Sequence, residues 1–427
     1  MSYSLGQEQE GFLLAEWEWT RRAPRDFARE VLLDVNDTAR FFRRLLRREV
    51  AYRLVRPTHG LLFVTYRCSS HCTTCVMWRR GSTETEMSPD VWKRLAGDLR
   101  RAGVSHFEMF GGDALLRPDV LFPFMRGATE NGIPCDLVTN GLLMDAEAAR
   151  ETVLSGAKQV AVSIDGVGDT HDAIRGTPGA FDKAVAAVRN LMKARETLSK
   201  DGRVPQVVIN CTVSRANARL LEPLVELTED LGPNVLALEY VGEVSQSAID
   251  HSAVAGISPD PYYVVQDESQ YLPAEDVASL KDWIARTHAA GRPRGVTFNT
   301  ENIDVLLPEQ MSSGTLPWKS CYVCRTHVIL DPSGNVLCCP FFSQYHLGNV
   351  TEHALADVWG NEKHREFIRA QGRKEIAICA ECILSVQRNP SFAEAVSKRF
   401  SQYMMRRAAR RGAPGLTDES HVSSGPC

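Results

Sequence analysis

Three cysteines fall within the eight-residue stretch Cys68-Ser69-Ser70-His71-Cys72-Thr73-Thr74-Cys75, directly after the apolar run "GLLFVTY". Reduced thiols are soft donors that select zinc or iron–sulfur clusters. The spacing C-x3-C-x2-C leaves the set one short of the four cysteines that a 4Fe-4S cluster normally takes. A structural zinc would need His71 as its fourth ligand, but His71 adjoins Cys72, and zinc sites pair their cysteines in two separated arms. A structural zinc is therefore the less favoured reading of this set.

A second group comprises Cys321, Cys324, Cys338, Cys339, Cys379 and Cys382. Cys321-x2-Cys324 and Cys379-x2-Cys382 pair as the arms of a tetrahedral metal site, with zinc the first candidate. Against zinc, residues 325–378 separate the arms, where an ordinary zinc ribbon has roughly 15–20 residues, and two cysteines are left over. Cys135 and Cys211 sit alone in apolar runs and read as small buried hydrophobes.

The remaining bulk features narrow the function classes. A formal net charge of −4 over 427 residues gives no reason to expect a nucleic-acid partner. The amino terminus lacks a basic-then-apolar leader, and no apolar run approaches the ~20 residues that cross a bilayer. A cytoplasmic protein is expected, with thiols kept reduced and available to metals. Residues 40–56 carry seven arginines and one glutamate among apolar positions. Such a basic amphipathic helix could rest on an anionic membrane, but packing against the core is favoured, and the tail "KRFSQYMMRRAARR" is read the same way.

The elements that must position the cysteines are legible in the alternation of the chain. Short apolar runs at "GLLFVTY", "VSHFEMF", "PCDLVTN", "QVAVSID", "QVVINCTV" and "NVLALEY" alternate with amphipathic stretches from about residue 57 to 291. Near-continuous apolar runs suit strands covered on both faces, and six strand–helix repeats predict a parallel sheet curving towards a partial barrel. Ser88-Pro89-Asp90 predicts a helix start that Gly103 ends, and Asn217 opens a second pattern interrupted by Pro223. In such sheets chemistry gathers at the carboxyl ends of the strands, where the first three cysteines begin. Residues 241–273 show no clear period, and a loop of that length is expected to cover a substrate as a lid or to be a peripheral insertion.

On these motifs the sequence resembles the radical SAM superfamily, in which C-x3-C-x2-C holds three irons of a 4Fe-4S cluster and S-adenosylmethionine chelates the fourth. The resemblance implies that Gly111, Gly112 and Asp113, in place of a Gly-Gly-Glu motif, receive the methionyl ammonium. It further implies that Ser163 and Arg175, in "SIDGVGDTHDAIRGTPGAFD", touch the cofactor's carboxylate or ribose; both are suitable donors. Thr74 stands where many members have an aromatic residue, and Trp78 could take its place. The segment from Cys321 to Cys382 resembles the SPASM or twitch auxiliary-cluster domain, with Cys321, Gly334 and Cys339 in register for its hairpin. That likeness implies one auxiliary 4Fe-4S cluster on Cys321, Cys339, Cys379 and Cys382. Cys324 also satisfies the spacing in place of Cys321, and Cys338 in place of Cys339.

The chain is thus expected to be α/β, with an N-terminal helical extension (1–56), a partial (β/α)6 radical SAM barrel (57–294), a small α+β auxiliary-cluster domain (295–390), and a basic helix with a flexible tail (391–427). The resemblance implies reductive cleavage of S-adenosylmethionine and hydrogen abstraction from a substrate, with flavodoxin or ferredoxin as electron donor. A single auxiliary site points to a small sugar- or aminocyclitol-like molecule that is oxidised or epimerised. The alternatives are a ribosomally made peptide, a lipid, or an iron–sulfur scaffold without turnover. Glu239, Tyr240 and Glu243 lie near the end of the sixth strand, without a signal that selects an acid or base among them. Anaerobic reconstitution with iron and sulfide is expected to load about eight irons per chain; saturation at four irons plus one zinc would contradict the two-cluster expectation.

Overall fold

Every apolar run expected as a strand forms one. In the computed structural model, which describes residues 57, 59–80, 85–198, 204–260, 269–316, 321 and 323–386, these are β1 (His59–Phe63), β2 (His106–Phe110), β3 (Cys135–Thr139), β4 (Ala157–Ser163), β5 (Gln206–Val213) and β6 (Val235–Tyr240). The extension 1–56 with its basic segment, and the region 391–427, lie outside the described residues. The six strands are parallel and adjacent in chain order. Four more join the same sheet: β7 (Thr297–Asn299) beside β6, and β8 (His327–Leu330), β9 (Asn335–Leu337) and β10 (His346–Asn349) beyond β1. Both sides of the boundary expected at 294 therefore contribute strands to one sheet.

Helices α1 (Pro89–Ala102), α2 (Pro118–Glu130), α3 (Ala146–Leu154), α4 (Asp169–Arg175), α5 (Ala180–Leu198) and α6 (Glu222–Leu231) lie between the first six strands. α1 begins with Pro89 and Asp90 in its first turn and ends where Gly103 adopts a φ of 105°. Ser88 occupies the cap position, but its side chain makes no capping bond. α1 buries Trp92, Leu95 and Leu99, and Trp92 and Phe107 meet the ring of Phe124 on α2 at centroid distances of 5.1 and 5.2 Å. This aromatic contact fixes the first two βα units against each other.

Asn217 does not open a helix. Its buried side chain accepts from the Ser214 N–H (2.8 Å) and donates to the carbonyls of Asp165 (2.7 Å) and Thr212 (2.9 Å). α6 starts instead at Glu222, where Pro223 falls in the first turn and costs no helical bond. The carboxamide thus joins the loops after β4 and β5 at the end of the sheet where the site lies.

The loops after β1 and β2 interlock through backbone. Gly112 N–H donates to Thr65 O and Asp113 N–H to Arg67 O, each at 2.9 Å. A Cβ on Gly111 would lie 2.3 Å from Thr65 O, and one on Gly112 would lie 1.9 Å from Arg67 O. Gly111 also has a φ of 138°. Gly112→Ala is expected to cost about 2–4 kcal/mol, because main chain must separate. Urea unfolding of the metal-free protein checks this, and a midpoint equal to wild type would contradict the close approach.

Candidate functional site

The first cysteine loop leaves β1 and folds back beneath the loop after β4. His71 N–H donates to Arg175 O (3.0 Å) and Thr73 N–H to Ile174 O (2.8 Å), which ties the loop to the end of α4. Gly176 permits that approach, since a Cβ there would lie 2.5 Å from His71 O. Trp78 braces the other side: its indole N–H donates to Cys72 O at 3.4 Å, and its ring meets His71 edge-on at 4.8 Å. The three thiols lie near enough to act on one another electrostatically.

Donors surround the sulfurs. Cys68 Sγ accepts from the Ser70 N–H at 3.5 Å and from the Asn140 amide at 3.8 Å. Asn140 also donates to the hydroxyls of Ser69 and Ser70, both at 3.1 Å. Arg175 Nη1 lies 3.7 Å from Cys72 Sγ, while Nη2 is 2.8 Å from the fully buried Asp165. Burial pushes the Cys68 and Cys72 thiols up, against the pull of these donors. A metal would reverse that balance, because it binds thiolate and releases the proton. Three thiols with N–H donors on two of them fit a thiolate-ligated iron cluster, whose potential such bonds tune.

Each expected cofactor residue can now be placed. Gly111 and Gly112 shape the floor of the site by their contact with residues 65–67. Asp113 turns inward: its side chain is buried, caps Leu115 N–H at 3.1 Å and accepts from the Thr139 hydroxyl at 3.2 Å. The carboxylate is thus committed to holding the loop after β2 against β3. Ser163 ends β4 in register with Asn210 on β5. Arg175 is turned to Asp165 and Cys72, so the geometry gives it a role in holding the cysteine loop. Asn140 and Asp165 carry much of this arrangement without having been singled out; Asn140 ends the run "PCDLVTN" and Asp165 lies in "SIDGVGDTHDAIRGTPGAFD".

The second cysteine group surrounds the hairpin β8–β9. Asp331 accepts the N–H groups of Ser333 (3.0 Å) and Asn335 (2.8 Å), and Gly334 turns with a φ of 89°. Cys339 follows β9, Cys321 precedes the short helix Val323–Thr326, and Cys379 and Cys382 close the set. Cys339 interacts electrostatically with Cys382, Cys321 and Cys379, as Cys324 and Cys338 each do with Cys321. Cys324 and Cys338 are each 1% exposed, whereas the four are half-buried. The Cys324 thiol bonds to Cys321 and holds it below the usual thiol range. Among the described residues no three His, Cys, Asp or Glu side chains gather as closely as a single metal ion requires, so the fit rests on the donor set.

The face of the sheet away from the helices carries small apolar residues, Ala161, Val208 and Val235, with Val138 and Ala237 beside them. It also carries carboxyls. Glu108 pairs in register with Asp136, and burial pushes it up to about 7, with Asp136 and Glu239 adding to the rise. In a flat sheet β2 and β6 would stand about 19 Å apart at ~4.8 Å per strand. Interaction between Glu108 and Glu239 therefore requires the sheet to curl. Glu239 stays open to solvent on this inner face, although surrounding protein pushes its carboxyl up. Tyr240 and Glu243 are otherwise engaged: the Tyr240 hydroxyl donates to Met311 O (2.7 Å), and Glu243 accepts from Ser269 (2.8 Å) and Gln270 N–H (2.6 Å).

Residues 62–204 match the radical SAM superfamily, and residues 321–383 match the SPASM iron–sulfur cluster-binding domain. The chain carries both domains and is a radical SAM enzyme that uses S-adenosylmethionine and two 4Fe-4S clusters. It is 27% identical over 354 residues to the AdoMet-dependent heme synthase of Methanosarcina barkeri, covering 77% of this chain and 93% of that protein. It is 25% identical over 325 residues to the mycofactocin maturase MftC of Mycobacterium tuberculosis, covering 75% and 74%. In fold it is similar to Streptococcus suis SuiB bound to the precursor peptide SuiA (TM-score 0.56, 14% identity, 74% of this chain and 68% of that chain). It is also similar in fold to anSMEcpe with bound AdoMet (TM-score 0.55, 17% identity, 83% and 100%). No helix among the described residues is long and apolar enough to cross a membrane.

Asp113 offers a pH test of the site's construction. Burial pushes its carboxyl up to about 6, against the Leu115 N–H and the Thr139 hydroxyl. Because the folded protein holds this proton more tightly than the unfolded chain, stability is fully present below the unfolded value and is lost as pH rises through about 6. Asp113→Asn keeps an acceptor for both donors and removes the titration. Its stability relative to wild type is expected to rise by about 1–2 kcal/mol between pH 5 and pH 7.5. Urea unfolding of the metal-free proteins across that range checks this, and a pH-independent difference would refute the inward carboxyl.

Proposed function

We propose that this enzyme modifies a ribosomally made peptide, with Cys68, Cys72 and Cys75 holding the SAM-binding cluster and Cys321, Cys339, Cys379 and Cys382 the auxiliary one. When bound, the first cluster and S-adenosylmethionine supply the radical chemistry that removes a hydrogen atom from carbon. The protein's own residues prepare for it. Asn140 and Arg175 direct donors at the sulfurs of Cys68 and Cys72, Gly111 and Gly112 would present backbone to the cofactor, and Ser163 would offer it a hydroxyl. Glu239, on the open inner face, is the residue placed to accept a proton from substrate.

The observation that carries the peptide reading is the inner face itself. Carboxyls at Glu108, Asp136 and Glu239 among small apolar residues suit a substrate with amide and other hydrogen-bond donors. Similarity to a maturase over three quarters of this chain, and the fold shared with a peptide-bound enzyme, support it. They favour it over the sugar- or aminocyclitol-like molecule that the single auxiliary site suggested. An iron porphyrin is the second reading, supported by the coverage of the heme synthase. The exposed Glu239 carboxylate speaks against it, since the acidic side chains of such a porphyrin would meet like charge there.

The reduced, reconstituted protein is expected to form 5'-deoxyadenosine from S-adenosylmethionine, and Cys68→Ala, Cys72→Ala or Cys75→Ala should each abolish it. Persistence of the product in those variants would refute the ligand assignment. A precursor peptide encoded beside the gene and Fe-coproporphyrin III, offered separately, then discriminate the readings: a mass change in the porphyrin alone would overturn the peptide proposal.

A further inference from the structure

The described part of the segment expected as a lid, 241–260, is tied to the flanks of Cys339, of Cys379 and Cys382, and of the first cysteine set. Ser245 donates through its N–H (2.7 Å) and its hydroxyl (2.9 Å) to Glu381, which stands between Cys379 and Cys382. Ser252 bridges to Ile376, and its hydroxyl accepts from the Ile378 N–H at 3.0 Å, just before Cys379. Asp260 donates its N–H to Phe341 O at 2.7 Å, and its carboxylate accepts from the Ser343 N–H (3.0 Å) and hydroxyl (2.6 Å). Phe341 and Ser343 come directly after Cys339 and Pro340.

The same carboxylate reaches the first loop. Arg80 lies 3.8 Å from Asp260, with side chains only 5% and 7% exposed, and its guanidinium sits 3.9 Å over the ring of Tyr66. Tyr66 precedes Cys68, and Arg80 follows Cys75 in the short helix Met77–Arg80. One buried carboxylate thus holds a charge from the flank of the first cysteine set and two donors from the flank of the second. An ion pair at this burial has a steep dependence on geometry, because either charge left alone is poorly solvated.

We propose that Asp260 is a positioning residue that sets the spacing between the two metal centres by clamping Arg80 and Ser343 to one strap. The proposal rests on the two-cluster reading. Removing its charge should loosen the relation between the loops while leaving every cysteine in place.

The test is made on the reconstituted full chain, by iron analysis and by the dipolar coupling between the two reduced clusters in electron paramagnetic resonance. Wild type is expected to hold about eight irons and show one narrow coupling. Asp260→Asn keeps partners for Ser343 and loses the attraction for Arg80; Arg80→Met loses it from the other side. Both are expected to retain the iron and to broaden the spread of couplings about twofold, since a site held to about 0.5 Å depends on its supporting shell. Unchanged coupling in both variants would overturn the proposal. If either variant loses iron, Ser343→Ala, which removes one hydroxyl, is measured in the same way: a broadened coupling supports the clamp and an unchanged one overturns it. A wild-type protein that saturates at four irons would instead remove the two-cluster reading, and the proposal with it.

Discussion

The contact on which the site depends is made of main chain. Residues 111–113 lie directly on the carbonyls of Thr65 and Arg67, and residues 71–73 lie on those of Ile174 and Arg175. Backbone pairs at such distances leave no volume for a side chain, which is why Gly111, Gly112 and Gly176 stand where they do. The three cysteines are therefore held by loops locked to neighbouring strand ends rather than by packing of their own. A loop with few apolar residues gains a fixed shape in this way, because each N–H that is satisfied at one strand end removes a degree of freedom at the next.

Electrostatics follow from that enclosure. Asp165 is fully buried, and Arg175 at 2.8 Å and the Thr212 N–H at 2.9 Å oppose the burial that pushes its carboxyl up. Arg175 in turn directs its second nitrogen at Cys72. The guanidinium thus joins a structural pair to the metal site, and a lysine, with a single point charge, could not span both. Glu86 performs a similar service on the other flank. Burial pushes its carboxyl up, but Thr65, Arg117 and Arg67 outweigh that and hold it below the usual range, so the first turn after β1 is anchored by charge as well as by backbone.

The strands and the cysteine sets were legible in the sequence because both are local patterns. Alternating apolar runs and fixed thiol spacing survive without knowledge of the fold, and all six runs form strands. What was not legible depends on partners distant in sequence. Asn140 and Asp165 look ordinary until Cys68 and Arg175 are brought beside them. Asn217 has the chemistry of a helix cap, and only the tertiary fold diverts its carboxamide to two strand-end carbonyls. Asp113 reads as a shortened cofactor ligand, yet the missing methylene allows its carboxylate to cap the turn behind it.

The segment after β6 shows how an aperiodic stretch can mislead. Absence of period says that a segment is neither a regular helix nor a strand, and mobility is a separate property. Here the polar residues that broke the pattern, Ser245, Ser252 and Asp260, are the ones that bond across the fold. Once this part of the segment is pinned, it is the inner face that remains to receive a substrate. Its small residues leave room, and Glu108, pushed up to about 7 by burial and by the neighbouring Asp136 and Glu239, can carry or release a proton near neutrality. A substrate that donates hydrogen bonds relieves their mutual repulsion, whereas one that brings further negative charge adds to it. The curl that brings Glu239 towards Glu108 follows from strand twist, and under the peptide reading it would favour a substrate that donates hydrogen bonds.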